Sequence, residues 1–269
     1  MRTTLFAVLI TLGATAVSAQ QRPLVTEDPE TIGAGRVLVE GGIDYANDIV
    51  YPASGLEGNL TRFPLIGVSV GVSSIAEIQI DGGLYDYLSI THRRKAPLAQ
   101  VVTAQGSGTS DVDDIVIGAK VRIAPETARR PAFGFRFATR LPNAGNESGL
   151  GLDTTDFVAS VLVGNVGLAI LGDPTVGDRQ NDELAYGVSF ARALTNTVEV
   201  VGEVNGRYNS RNGQPPPGTE SRGMFRVGAR YTVGNWRADA ALLLGMTSID
   251  AGAGAAAGFT YVFDAFKVP

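Results

Sequence analysis

Phe133, Phe135 and Phe137 share one parity of the stretch PAFGFRFATRLP, and Gly134, Arg136, Ala138 and Arg140 hold the other. A strand sends successive side chains to opposite faces, so this segment predicts a strand with one apolar face and one face bearing two arginines. The same period of two recurs after residue 35. It predicts twelve strands, at roughly 36–45, 59–72, 75–88, 113–124, 131–141, 153–163, 166–172, 183–193, 197–207, 221–232, 235–246 and 254–263. Apolar rows such as Ile78, Ile80 and Leu84, or Ile115, Ile117, Val121 and Ile123, mark one face. Two segments fit less well. In 59–72 Leu65 lies opposite Ile66 and Val68, and Pro64 interrupts the run. Segment 166–172 is shorter than the about nine to eleven residues of a tilted spanning strand, so it is expected to extend into 173–176; otherwise the count falls to ten.

The second face carries charge. It holds Glu77, Gln79 and Asp81; Lys120 and Arg122; Arg136 and Arg140; Glu199, Glu203 and Arg207; Arg222, Arg226 and Arg230; and Arg237 and Asp239. A soluble sandwich or lipocalin-like barrel would turn its apolar face inward. A membrane barrel turns that face to lipid and keeps its polar residues in the lumen. Consecutive antiparallel strands would then set Glu199 and Glu203 beside Arg226 and Arg230, and Glu77 and Asp81 near Lys120. The lumen residues expected to line a solute path are Glu77, Asp81, Lys120, Arg136, Arg140, Glu199, Glu203, Arg226 and Arg230. Small residues on the same face (Gly134, Ala138, Gly228) predict open space among them.

The connections alternate in length. Residues 73–74, 125–130, 164–165, 194–196 and 233–234 are short, whereas 46–58, 89–112, 142–152, 173–182 and 208–220 are long and rich in Gly, Pro, Asn, Asp and Ser. Short turns at one end and long loops at the other are the pattern of an up-and-down transmembrane barrel. The fold expected is therefore all-β, an antiparallel barrel of about twelve strands in the outer membrane of a Gram-negative bacterium, with both termini on the periplasmic side.

The chain start agrees with that compartment. MRTTLFAVLITLGATAVSA has one arginine, an apolar run and an Ala-Val-Ser-Ala end, the layout of a signal peptide cleaved after Ala19. The expected organisation is a leader at 1–19, a periplasmic or plug segment at 20–35, a barrel at 36–263 and a tail at 264–269. The chain has no cysteine, so disulfides and thiolate metal sites are excluded. A net charge of −5 and a pI near 5.0 argue against nucleic acid as a partner. The expected partners are outer-membrane lipid and lipopolysaccharide, the barrel-assembly machinery and a small-molecule solute.

Four stretches also carry a family resemblance. LVTEDPETIGAGRVLVEGGIDY (Leu24 to Tyr45) has an acidic-proline segment, a Gly-x-Gly and a first strand. DDIVIGAKVRI (Asp113 to Ile123), PAFGFRFATRLPNAG and ELAYGVSFARALTNTVEVVGEVNGR (Glu183 to Arg207) follow in order. Together they resemble the bacterial outer-membrane proteins grouped as the MetA-pathway of phenol degradation family. That resemblance implies an outer-membrane barrel and uptake of small hydrophobic or aromatic compounds, and it supplies no substrate residues. The alternative is a closed structural or surface-interaction barrel without transport.

Catalytic chemistry finds little footing. The one histidine, His92, sits in THRRK among Arg93, Arg94 and Lys95, with Ser89 nearby but no adjacent acid. Barrel-type hydrolases need a histidine with an orienting carboxylate, so a surface histidine is expected and no enzyme activity. The basic run suits lipopolysaccharide phosphates. Asp111, Asp113 and Asp114, and Asp173, Asp178, Asp182 and Glu183, follow no recognised calcium-loop spacing. No metal or cofactor is expected. GFTYVF near the end resembles the terminal strand read by the assembly machinery, followed here by Asp264 to Pro269.

Overall fold

The structure, a computed structural model, describes residues 22–268 apart from 128, 164–165, 173–180, 212 and 214. The expected leader, the 164–165 turn and most of the 173–182 loop lie outside the described residues, as does the expected extension of segment 166–172.

Among the described residues every regular element is a strand. In chain order these are β1 (Arg36–Tyr51), β2 (Leu56–Gly71), β3 (Ala76–Gly83), β4 (Asp86–Arg93), β5 (Gly108–Asp111), β6 (Ile115–Ala124) and β7 (Phe133–Leu141). There follow β8 (Asp156–Leu162), β9 (Val166–Leu171), β10 (Asn181–Ala193), β11 (Val198–Tyr208), β12 (Arg222–Val233), β13 (Trp236–Gly245) and β14 (Ala253–Asp264). All pairings are antiparallel, and β1 bonds both β2 and β14, so the sheet closes on itself. β2 bonds β3 along Leu65–Gly71 and β4 along Leu56–Arg62, so β3 and β4 are halves of one stave. β5 and β6 are likewise halves of the next, bonding β4 and β3 in turn. Fourteen segments thus make the twelve staves of a closed barrel.

The phenylalanine question resolves outward. Phe133, Phe135 and Phe137 are exposed on the outer surface, as are Ile78, Ile80, Ile117, Leu242 and Phe259. The inner face holds Lys120, Glu77, Glu203 and Gln79, each at most 1% exposed. Nothing but lipid suits a belt of that composition around a closed wall. Near the turn end Trp236, Tyr261 and Phe263 stack in series, with Trp236 and Tyr261 centroids 4.4 Å apart, as interfacial aromatics do.

Two expected loops are partly wall. Residues 46–58 form the continuation of β1 and β2 around a turn at 52–55, and 89–112 contains the end of β4 and all of β5. Period-two reading misses them because the parity resets. β1 and β2 shift register between Gly42 and Asp44 and between Ala46 and Ile49, near Asp48 with φ 53°. In β2, Phe63 and Ile66 both face outward, three positions apart, across Pro64. Proline lacks an N–H for the ladder; Phe63 N still reaches the Tyr85 carbonyl at 2.9 Å and Leu84 N the Pro64 carbonyl at 3.0 Å.

Above this kink the rule of the wall inverts. Leu56, Leu60 and Leu88 point inward and pack with Leu150 of the 142–155 loop, while Glu57, Asn59, Thr61 and His92 take the outer side. That is the pattern of a β-structure in water, so this flank stands clear of the bilayer. The chain has no native cysteine, which makes the level testable. His92→Cys should react with a charged, membrane-impermeant maleimide on intact cells, and Phe137→Cys should not. Equal labelling of both would contradict this placement of the water boundary.

Candidate functional site

Inward positions on neighbouring staves meet at fixed register. Glu199 stands opposite Arg230 and Glu203 opposite Arg226, with closest contacts of 3.1 and 2.6 Å. Glu77 stands opposite Lys120, 3.0 Å from its Nζ. Arg136, opposite Lys120 on the next stave, donates to Gln79 Oε1 at 2.7 Å. Arg140 pairs with Asp156 and lies 3.4 Å from Asp114. Asp81 behaves differently: it stands opposite Val116, and no ion pair to Lys120 is formed among the described residues. It faces the lumen cavity with Arg136 instead. Four residues beyond Glu77, it lies too far along the stave for Lys120, which Glu77 already occupies.

The lumen is not lined by the wall alone. Residues 22–35 (RPLVTEDPETIGAG) run inside it, a feature that strand patterning did not reveal. Pro23 and Pro29 keep this segment from joining a ladder, so its buried N–H groups need other acceptors. They find wall carboxylates. Val25 N and Thr26 N donate to Glu203 at 3.0 and 2.7 Å, and Ile32 N donates to Glu77 at 2.7 Å. Side chains add to this. Glu27 lies 3.2 Å from Lys120 and 2.9 Å from Arg136, and Glu30 pairs with Arg122. Arg22 lies 3.6 Å from Asp44 and 3.7 Å from Asp239, and its carbonyl accepts from Arg230 Nε at 2.8 Å. Ile32 closes the lower end against Leu38 and Val262.

Burial opposes the charge on Glu27, but Lys120, Arg136 and the Gln79 amide together hold its carboxyl below the ordinary 4.5. A lowered acid contributes its full attachment at neutral pH and loses it as pH falls through the lowered value.

Of the small inward residues, Ala138 borders a cavity, but the glycines have a purpose different from open space. A Cβ at Gly134 would meet Pro29 at 3.4 Å, one at Gly187 would meet Thr26 Oγ1 at 2.7 Å, and one at Gly258 would meet Arg22 Nε at 2.4 Å. At Gly71 it would lie 1.8 Å from the Gly33 carbonyl oxygen. These glycines are seats for the N-terminal segment. Gly228 is different, crowded by the Ala240 carbonyl and Ala241 of its neighbouring strand.

Space remains beyond the segment. Two cavities of about 480 and 490 Å³ share Arg136, Arg140, Ala185 and Asn205 in their walls. A third, of about 180 Å³, lies between the turn at 52–55 and the loop 142–155, with Gly218 at its edge. The acids Asp111 and Asp114 brace the loop 142–155: Asp111 accepts from Gly145 N, and Asp114 from Asn143 N and Ala144 N. The loop is tied further by Ser54 Oγ to the Gly149 carbonyl and Thr109 Oγ1 to the Ser148 carbonyl, each at 2.8 Å.

Solved structures share this architecture. An outer membrane channel from Pseudomonas putida F1 overlays with a TM-score of 0.56 at 12% identity, covering 88% of this chain and 98% of that one. The translocator domain of the autotransporter NalP from Neisseria meningitidis overlays more loosely, with a TM-score of 0.45 at 13% identity, covering 86% of this chain and 89% of its own. No protein-family model matches the sequence, and no curated protein matches it. The fold is that of an outer-membrane β-barrel, and a closed barrel with this lipid-facing belt is a Gram-negative outer-membrane protein.

Proposed function

We propose that this chain is an outer-membrane channel for small solutes, stoppered from the periplasmic end by residues 22–35. One observation carries the reading: the lumen keeps cavities of about 480 and 490 Å³ directly beyond a segment held by ion pairs and backbone hydrogen bonds. Such contacts can be exchanged for water one at a time, unlike a packed apolar core. The nine lumen residues then have two tasks. Glu77, Lys120, Arg136, Glu203 and Arg230 grip the stopper, while Asp81, Arg140 and Arg226 face the cavities. Glu199 fixes Arg230. The family resemblance supplies the solute class, small hydrophobic or aromatic compounds. Assembly-machinery recognition of the last strand, where Phe263 pairs with Val37, is part of the same proposal.

Planar-bilayer recording tests it. The parent protein should show low conductance. Gly187→Leu, which fills the seat of Thr26 without touching a charge, should open the path and raise conductance about tenfold, as loss of a tightly packed seat favours the displaced state. A folded Gly187→Leu barrel with no conductance would favour the closed structural barrel.

A further inference from the structure

Three arginines from separate staves, Arg140, Arg207 and Arg222, border both the 490 Å³ cavity and the smaller chamber under the outer loops. They form the boundary between the two. Each has a carboxylate partner, and the three pairs are oriented alike. Side-chain exposure is 32% for Arg140 against 2% for Asp156, 24% for Arg207 against 0% for Glu183, and 24% for Arg222 against 5% for Asp250. In each pair the acid is the more enclosed partner, although Asp156 and Asp250 also border the 490 Å³ cavity. Formal charge alone would not favour an anion here, since Asp114 brings the acids to four against three arginines. Exposure tips the balance, because the guanidinium is the more exposed partner of each pair. Arg207 Nη2 donates to the Gly218 carbonyl, and Arg222 Nη1 and Nη2 to those of Ile249 and Val50, which leaves their second N–H groups for a solute. Arg207 Nε, a buried donor, also has no hydrogen-bond acceptor among the described residues, although Glu183 lies 3.2 Å away. Deeper in the lumen the contrast is smaller: Arg226 is 11% exposed against 0% for Glu203, and Lys120 and Glu77 are both fully enclosed.

The rest of the cavity wall is mixed, with Arg136, Asn205 and the acids Asp156 and Asp250 beside an apolar group. Ala138, Val158, Ala169, Leu171 and Met224 supply a greasy wall, in a volume typical of small-ligand sites. We infer that the outer half of the lumen binds small organic anions, with a carboxylate held at the Arg140–Arg207–Arg222 cluster and an apolar body against that wall. Planar guanidiniums suit a carboxylate better than a point charge does. This rests on the channel reading and narrows its solute class.

The test uses the full mature protein in detergent, with benzoate as the probe and benzyl alcohol and benzylammonium as its neutral and cationic counterparts. Equilibrium dialysis should show benzoate binding at least about tenfold more tightly than benzyl alcohol, the advantage of charge-assisted over neutral hydrogen bonds. Benzylammonium should not bind measurably. Arg222→Gln should remove most of the preference. Because that change leaves Asp250 without its partner and can disturb folding, Met224→Glu is the second variant. It places a carboxylate in the cavity while breaking no ion pair, and should weaken benzoate by about tenfold in a barrel that stays heat-modifiable on gels. Equal binding of benzoate and benzyl alcohol, or unchanged benzoate affinity in folded Met224→Glu, overturns the inference. Liposome swelling by the Gly187→Leu protein, in which the stopper is displaced, separates it from the channel reading. Selective benzoate binding without solute entry leaves the anion site standing and removes transport; entry without charge preference does the reverse.

Discussion

Lys120→Met should unseat the N-terminal segment and destabilise the barrel by about 3–5 kcal/mol, the usual cost of removing one partner from a buried ion pair. Lys120 is 0% exposed and its ammonium lies within 3.2 Å of two carboxylates, Glu27 and Glu77. Methionine fills the same length of wall but leaves those acids facing each other, with Arg136, the Gln79 amide and Ile32 N among their remaining partners. Two measurements should report the effect: a lower temperature for the heat-induced gel shift, and new proteolytic cleavage within residues 22–35. Adding Glu77→Gln should recover part of the loss, since contacting sites are not additive. A Lys120→Met protein with parental melting and protease resistance would mean that water screens this cluster, and that the segment is held elsewhere.

Phe135→Arg should block insertion. Phe135 lies mid-strand in β7 between two other outward phenylalanines, and arginine facing lipid near the midplane costs about 2–4 kcal/mol in such barrels. Little heat-modifiable protein should reach the outer membrane. Arg136→Phe, one residue on, should insert, because its side chain faces the lumen. Its defect should be a loosened stopper, as Glu27 and Gln79 both lose a partner. The opposite result for the pair would mean that the wall has been read inside out.

Both expectations rest on parity, the most legible feature of this sequence. Alternation alone gave the number of staves, the lipid-facing phenylalanines and the cross-strand partners Glu199–Arg230, Glu203–Arg226 and Glu77–Lys120, because antiparallel register converts sequence spacing into distance. It failed where register slips, around Asp48 and Phe63–Pro64, since one extra residue exchanges the two faces. It also could not see that residues 22–35 thread the lumen, as an extended proline-bearing segment has no periodicity to show. Two signals were nevertheless present. The faces of β3, β6 and β7 carry Lys120, Arg122, Arg136 and Arg140 against only Glu77 and Asp81, a surplus that Glu27 and Glu30 offset. Inward glycines at 134, 187 and 258 marked vacancies awaiting a partner. The meeting of Arg207 and Arg222 follows from the same β11–β12 register, but their clustering with Arg140 was out of reach, because it depends on barrel curvature and on where the outer loops fold.

The kink at Phe63–Pro64 divides β2 into two stretches that tolerate opposite mutations. Below it, an outward position such as Ile66 accepts any greasy residue and rejects charge. Above it, past Thr61 between the exposed Tyr45 and Tyr87, the outer positions Asn59 and Glu57 are polar, so Asn59→Leu, benign by the standards of the bilayer, would lay an adhesive spot on the cell surface. Sequence drift along this one strand is therefore filtered by two solvents, and a substitution can be graded only once its side of the proline is known.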